Sequence, residues 1–192
     1  TSLAASVLNT LDGHTSGTVN ANTVTTLSGA AAELNTAYGS SGISNLGDED
    51  ITLSDTSLTA SVLNTLDNNT SGTVNANTVT TLSGAASDLN TAYAANGSGI
   101  TGLANEDITL TDTTLDASVL NTLNDNTTGT IDASTGTTHT GAAAERNTPY
   151  APNRSGITGL ANEAVTLTDT TLAASVLNTL NDNTTGTIDA GT

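Results

Sequence analysis

The sequence predicts an α/β solenoid, and three observations lead there. The hexapeptide Ser6-Val7-Leu8-Asn9-Thr10-Leu11 returns at Ser61 to Leu66, Ser118 to Leu123 and Ser175 to Leu180, in steps of 55, 57 and 57 residues. Each unit divides into two related halves with a shared Leu-Asn-Thr core. The chain therefore counts seven half-units of about 28 residues, four of a first type alternating with three of a second. Within each half, apolar residues at helical spacing give way to strict apolar–polar alternation. A unit copied at such a period buries its apolar side against the next copy. An all-β solenoid is the alternative that the same short apolar runs permit.

The first-type half opens with a helix. Leu58, Val62, Leu63 and Leu66 fall at i, i+4, i+5 and i+8, and Asp55 precedes them as the expected cap, with Asp112 and Asp169 in later copies. Gly72, Gly129 and Gly186 follow, where the turn needs a backbone free of Cβ constraint. A short strand comes next, as in Gly129 to Ala133. In the second-type half Ala86, Leu89, Ala92 and Tyr93 predict another short helix, with Ser83 as its cap. Ile51-Thr52-Leu53, Ile108-Thr109-Leu110 and Val165-Thr166-Leu167 alternate as strands, each expected to pair with its own copy one rung away in a parallel ladder.

One asparagine stands in all seven halves: Asn9, Asn35, Asn64, Asn90, Asn121, Asn147 and Asn178. A buried amide ladder accounts for it better than a ligand row, because buried polar groups must be paired and every copy keeps the residue.

Composition narrows the function. Cys, Met, Trp and Phe are absent, lysine does not occur, and the formal charge is −17 with Arg146 and Arg154 as the only Lys or Arg residues. Nucleic-acid binding needs basic patches that displace counterions, so it is excluded as an expectation. No apolar run approaches the ~20 residues that span a bilayer. Leu, Val, Ile and Ala must build the whole core, as a single repeat domain over residues 1–192. Both ends fall inside a unit without a divergent capping rung, which points to a processed or excised piece, or to end-to-end self-association.

Candidate sites are few. Asp48, Asp50, Glu106 and Asp107 are the acidic residues that could serve calcium, which takes six to eight oxygens; neither the EF-hand spacing nor a calcium nonapeptide accompanies them, so a solvated acidic face is expected and no cofactor is assigned. Thr23 to Thr26 and Thr111 to Thr114 offer hydroxyl arrays for ice or glycan. Glycosylation sequons begin at Asn69, Asn126, Asn153 and Asn183. His14 and His139 have no histidine counterpart in other copies, and no nucleophile motif is present, so the chain is not read as an enzyme. One stretch departs from the pattern: Gly136 replaces Val79, His139 replaces Leu82, Arg146 replaces Leu89 and Pro149 replaces Ala92. The expectation is a loosened rung in which His139, Arg146 and Arg154 make a lateral contact with an acidic neighbour.

Ala31 to Tyr38, Gly99 to Glu106 and the Val-Leu-Asn-Thr-Leu-Asp segments followed by Thr-Ser-Gly-Thr-Val-Asn-Ala resemble the Thr/Asn-rich tandem repeats of very large secreted or cell-surface bacterial proteins, notably those of cyanobacteria. The Ala-Ala-Glu-Leu-Asn portion is also similar to short repeats of phage tail fibres. The resemblance implies an extracellular structural rod or stacked filament, with a surface adhesin displaying a Thr/Asp face as the alternative. It carries no catalytic residues.

Overall fold

The computed structural model describes residues 1–149 and 156–191. Seven helices alternate with short parallel strands among them, as an α/β solenoid-like repeat. The helices are α1 (Ala5–Gly13), α2 (Ala31–Gly39), α3 (Ala60–Asn69), α4 (Ala86–Ala95), α5 (Ala117–Asn126), α6 (Ala143–Asn147) and α7 (Ala174–Asn183). Contacts fall into two compact units, Thr1–Leu82 with Thr91–Leu103, and Ser83–Asn90 with Ala104–Thr192. None of the described helices is long and apolar enough to cross a membrane.

In the first unit one ladder runs Ser2–Ala4, Thr26–Gly29, Asp50–Leu53, Val74–Asn75 and Ile100–Thr101, and a second pairs Val19–Asn20 with Ile43–Ser44. In the second unit Asp107–Leu110, Ile131–Asp132 and Ile157–Thr158 form one ladder, and Thr114–Asp116, Thr138–Gly141, Ala164–Leu167 and Ile188–Asp189 another. All these pairs are parallel, with the crossover supplied by the helix between them.

The Ile-Thr-Leu strands do not pair with their own copies. Ile51 stands between Leu27 on one side and Val74 on the other, and Val165 stands between His139 and Ile188. Each is therefore a link: it closes a ladder of strands that precede helices and opens a ladder of strands that follow helices in the next repeat. Six residues separate each link strand from the next helix, as between Leu53 and Ala60.

Helix starts also differ from expectation. Leu58 lies in the strand Ser57–Thr59, and α3 begins only at Ala60, with Thr59 as its N-cap. Asp55 does not cap that helix. Its carboxylate reaches back one rung and accepts from the N–H of Ala31 at 2.8 Å, the first residue of α2. Asp112 does the same for Ala86 and Asp169 for Ala143, each at 2.7 Å. The second-type helices α2 and α6 have alanine at the N-cap and no capping side chain of their own, and Ser83, the expected cap, belongs to the strand Thr81–Gly84. A carboxylate at a helix N-terminus satisfies orphan donors and meets the positive end of the dipole. Here it does so between rungs.

The core is aliphatic and thin. Ala60, Leu63 and Leu66 of α3, and Ala117, Leu120 and Leu123 of α5, are essentially inaccessible, as are the strand residues Leu27, Ile51, Leu53, Val74, Ile108, Leu110 and Ile131. The helices are held by this burial and not by propensity, since Thr, Ser and Asn fill their other faces. The threonines after the row asparagines bond to their own helices: Thr10, Thr36, Thr65, Thr122, Thr148 and Thr179 donate to the carbonyl four residues back.

Replacing Asp112 with Ala removes a cap and a rung-to-rung tie together. We expect a loss of about 1–2 kcal/mol in urea unfolding, in the upper part of the range for N-caps.

Candidate functional site

The asparagine row spans rungs. Asn9 Nδ2 donates to the carbonyl of Glu33 at 2.9 Å, and Asn121 Nδ2 to that of Glu145 at 3.1 Å, in each case the first turn of the next helix. Asn69 donates to Asn35 Oδ1 and Asn183 to Asn147 Oδ1, both at 3.3 Å. Asn64 and Asn90 are half-buried at the equivalent positions, and Asn178 on α7 is exposed. Two sequon asparagines, Asn69 and Asn183, are thus engaged in the row, whereas Asn126 is exposed and Asn153 lies outside the described residues.

The acidic clusters split by role. Asp48, Asp50 and Asp107 are exposed, while Glu106 is fully buried. Asp50 accepts from the N–H of Thr73 at 2.8 Å and from its hydroxyl at 2.9 Å, and Asp107 repeats this with Thr130; these bonds hold both carboxyls below the usual range. Among the described residues no group of three or more His, Cys, Asp or Glu side chains converges as a metal site would require.

Sequence reasoning missed the buried glutamates. Glu49, Glu106 and Glu163 stand just before each link strand and are 0 %, 0 % and 1 % exposed. Each carboxylate folds back onto its own loop, accepting from the N–H of Gly47, Ala104 or Ala161. The Tyr38 hydroxyl donates to Glu49 Oε2 at 3.0 Å, and burial together with this carboxylate pushes the phenol pKa up. Each glutamate's backbone carbonyl accepts from a threonine of the next first-type half: Thr70 at 2.6 Å, Thr127 at 2.7 Å and Thr184 at 2.9 Å. The same hydroxyls accept from Gly72, Gly129 and Gly186 N–H at 3.0 Å. Those glycines are required by proximity, not by a left-handed backbone: a Cβ on any of them would lie closer than 3.0 Å to the glutamate carbonyl. The signal was in the sequence. Glu163 persists where its aspartate neighbour has become Ala164.

The divergent rung is an interior cluster. His139 and Arg146 are both 0 % exposed, so neither side chain stands on a surface where a lateral partner could meet it; Arg154 lies outside the described residues. Arg146 Nη1 donates to His139 Nδ1 at 2.6 Å, and Glu163 Oε1 lies 3.6 Å from the same nitrogen. Because arginine can only donate, Nδ1 must be the acceptor and the proton sits on Nε2. Desolvation, with Arg146 adding to it and Glu163 opposing, lowers the imidazole pKa to about 4. The replacements are coupled by volume. A Cβ at position 136 would fall 2.8 Å from His139 Nε2 and 2.9 Å from Leu115 Cδ1, so the valine of other copies would force one of these side chains to shift. Helix α6 is short, ending at Asn147 just before Pro149, which has no N–H to extend it.

Comparison with protein-family models, curated proteins and solved structures returned no match. The arrangement is one of positioning: the hydrogen bonds of the asparagine row and of the buried glutamates tie one rung to itself or to the next.

The interior cluster makes a signed prediction. His139 is neutral in the folded chain, with its pKa below the unfolded value, so the unfolded state binds more protons between the two. Stability present above pH 6.5 should fall as pH drops from 6.5 toward about 4. Arg146→Leu alone should cost about 3–5 kcal/mol, by breaking a buried charged set, whereas Gly136→Val, His139→Leu and Arg146→Leu together should be neutral or stabilising by about 1–4 kcal/mol. Urea melts across this range should show the triple variant without the acid slope.

Proposed function

We propose that the chain is an extracellular structural element, a repeat rod whose open faces take further repeats end to end. The role is mechanical and not catalytic. Parallel ladders, link strands and the asparagine row would carry tension along the stack, while the acidic, hydroxyl-rich exterior keeps it dispersed.

The observation behind this reading is the contrast between copies. Leu66, Leu123 and Leu180 are 0 % exposed, whereas the equivalent Leu11 is 49 % exposed, with Val7 beside it at 46 %. Helix packing supplies the cover in the later copies, where α2 lies on α3 and α6 on α7. At α7 the opposite edge is open: Leu177 is half-buried, whereas Leu63 and Leu120 are buried. A repeat face left open in this way is a template for association.

Small-angle scattering with light scattering over a concentration series tests the reading. An elongated particle is expected at every concentration. A compact monomer at all concentrations would overturn the proposal and favour a binding module.

A further inference from the structure

The outer side of the first copy is more specific than an apolar patch. In the later copies three features of the first-type half are filled by one segment of the preceding rung. The link strand pairs with the post-helix strand, through Ile51 N–H to Thr73 carbonyl at 2.7 Å, Ile108 to Thr130 at 2.7 Å and Val165 to Thr187 at 2.8 Å. The glutamate carbonyl before it sits on the threonine hydroxyl and the glycine. The loop carbonyl two residues earlier accepts from Ser71, Thr128 or Thr185 N–H, each at 2.8 Å.

The first copy has the same receiving surface, already shaped. Thr15, Ser16, Gly17 and Val19 align with Thr70, Ser71, Gly72 and Val74. Gly17 N–H donates to Thr15 Oγ1 at 3.0 Å, as in every other copy, so the turn forms without an occupant. Strand Val19–Asn20 pairs with Ile43–Ser44 on one edge, and no described strand pairs with its other edge. Thr15, Ser16, Gly17 and Thr18 are exposed, and Val19 is half-buried where Val74 and Ile131 are fully buried.

We propose that Leu11, Thr15, Gly17 and Val19 form a strand-acceptor site for a segment of the form Glu-x-Ile/Val-Thr-Leu, delivered behind a second-type helix that covers Leu11. The partner is defined by what fills this surface three times within the chain: Glu49 to Leu53, Glu106 to Leu110 and Glu163 to Leu167. Main-chain pairing supplies affinity and the apolar alternate positions supply selectivity, as in other strand additions. The proposal rests on the reading that open faces take further repeats, and it names the repeat. The open face of α7 is of the first type, so it is not the occupant that this site fits.

Gly17 gives a test that leaves the fold alone. A Cβ there meets only Thr15 Oγ1, at 3.4 Å, whereas one at Gly72 strikes the Glu49 carbonyl. The full chain is compared with one carrying a copy of residues 79–112 directly before Thr1, each with and without Gly17→Ala. Urea unfolding at fixed low concentration is read, with helix content by circular dichroism. The added copy should add helix and raise the folded-to-unfolded ratio about tenfold or more. Gly17→Ala should leave the full chain unchanged and abolish the gain in the prefixed one. An added copy that contributes no helix or stability overturns the site, as does a Gly17→Ala effect equal in both backgrounds. Because the readout is intramolecular, these outcomes are independent of whether the full chain associates.

Discussion

A glutamate carbonyl seated on a glycine sets the spacing of the whole repeat. At Glu49, Glu106 and Glu163 the carbonyl meets a threonine hydroxyl and lies so close to Gly72, Gly129 or Gly186 that no side chain fits between them. The carboxylate of the same residue turns inward and braces its own loop. One residue therefore fixes both the loop that ends a second-type half and the surface on which the next first-type half rests. The link strand follows at once, and its two-sided pairing is the consequence.

Polar ties between rungs follow the same logic. A thin aliphatic core without Phe, Met or Trp buries little area per residue, so directional bonds have to fix the register that packing alone would leave loose. The aspartates after the link strands cap the helix behind them, and the asparagines reach the helix ahead. Where His139 and Arg146 stand in for two leucines beside Glu163, the fold keeps its ladders: His139 still pairs in register with Leu115 and Val165. The exchange is tolerated because Gly136 vacates the volume and Arg146 supplies the donor.

The architecture was legible because the repeat is nearly exact and the period changes within each half. Short helices and the Ile-Thr-Leu strands emerge where alternation and spacing place them. What stayed hidden depends on through-space partners. Asp55 looks like a local cap from spacing alone, and only the stacking of α2 shows that it serves the rung behind. Glu49, Glu106 and Glu163 sit within acidic runs that read as solvated, and burial separates them from Asp50 and Asp107. His139 and Arg146, as isolated cations on an anionic chain, suggested a surface contact, yet both point inward. Charge in sequence does not tell which side of a sheet it occupies.

Residue-resolved native-state hydrogen exchange tests the central role of the glutamate–glycine contact most directly. The amides of Ile51, Ser71, Ile108 and Thr128, which donate across that junction, should exchange as slowly as the best-protected helix amides of their own unit. Junction amides that open freely while the helices stay protected would show that the rungs are held by aliphatic packing alone, and would contradict the account.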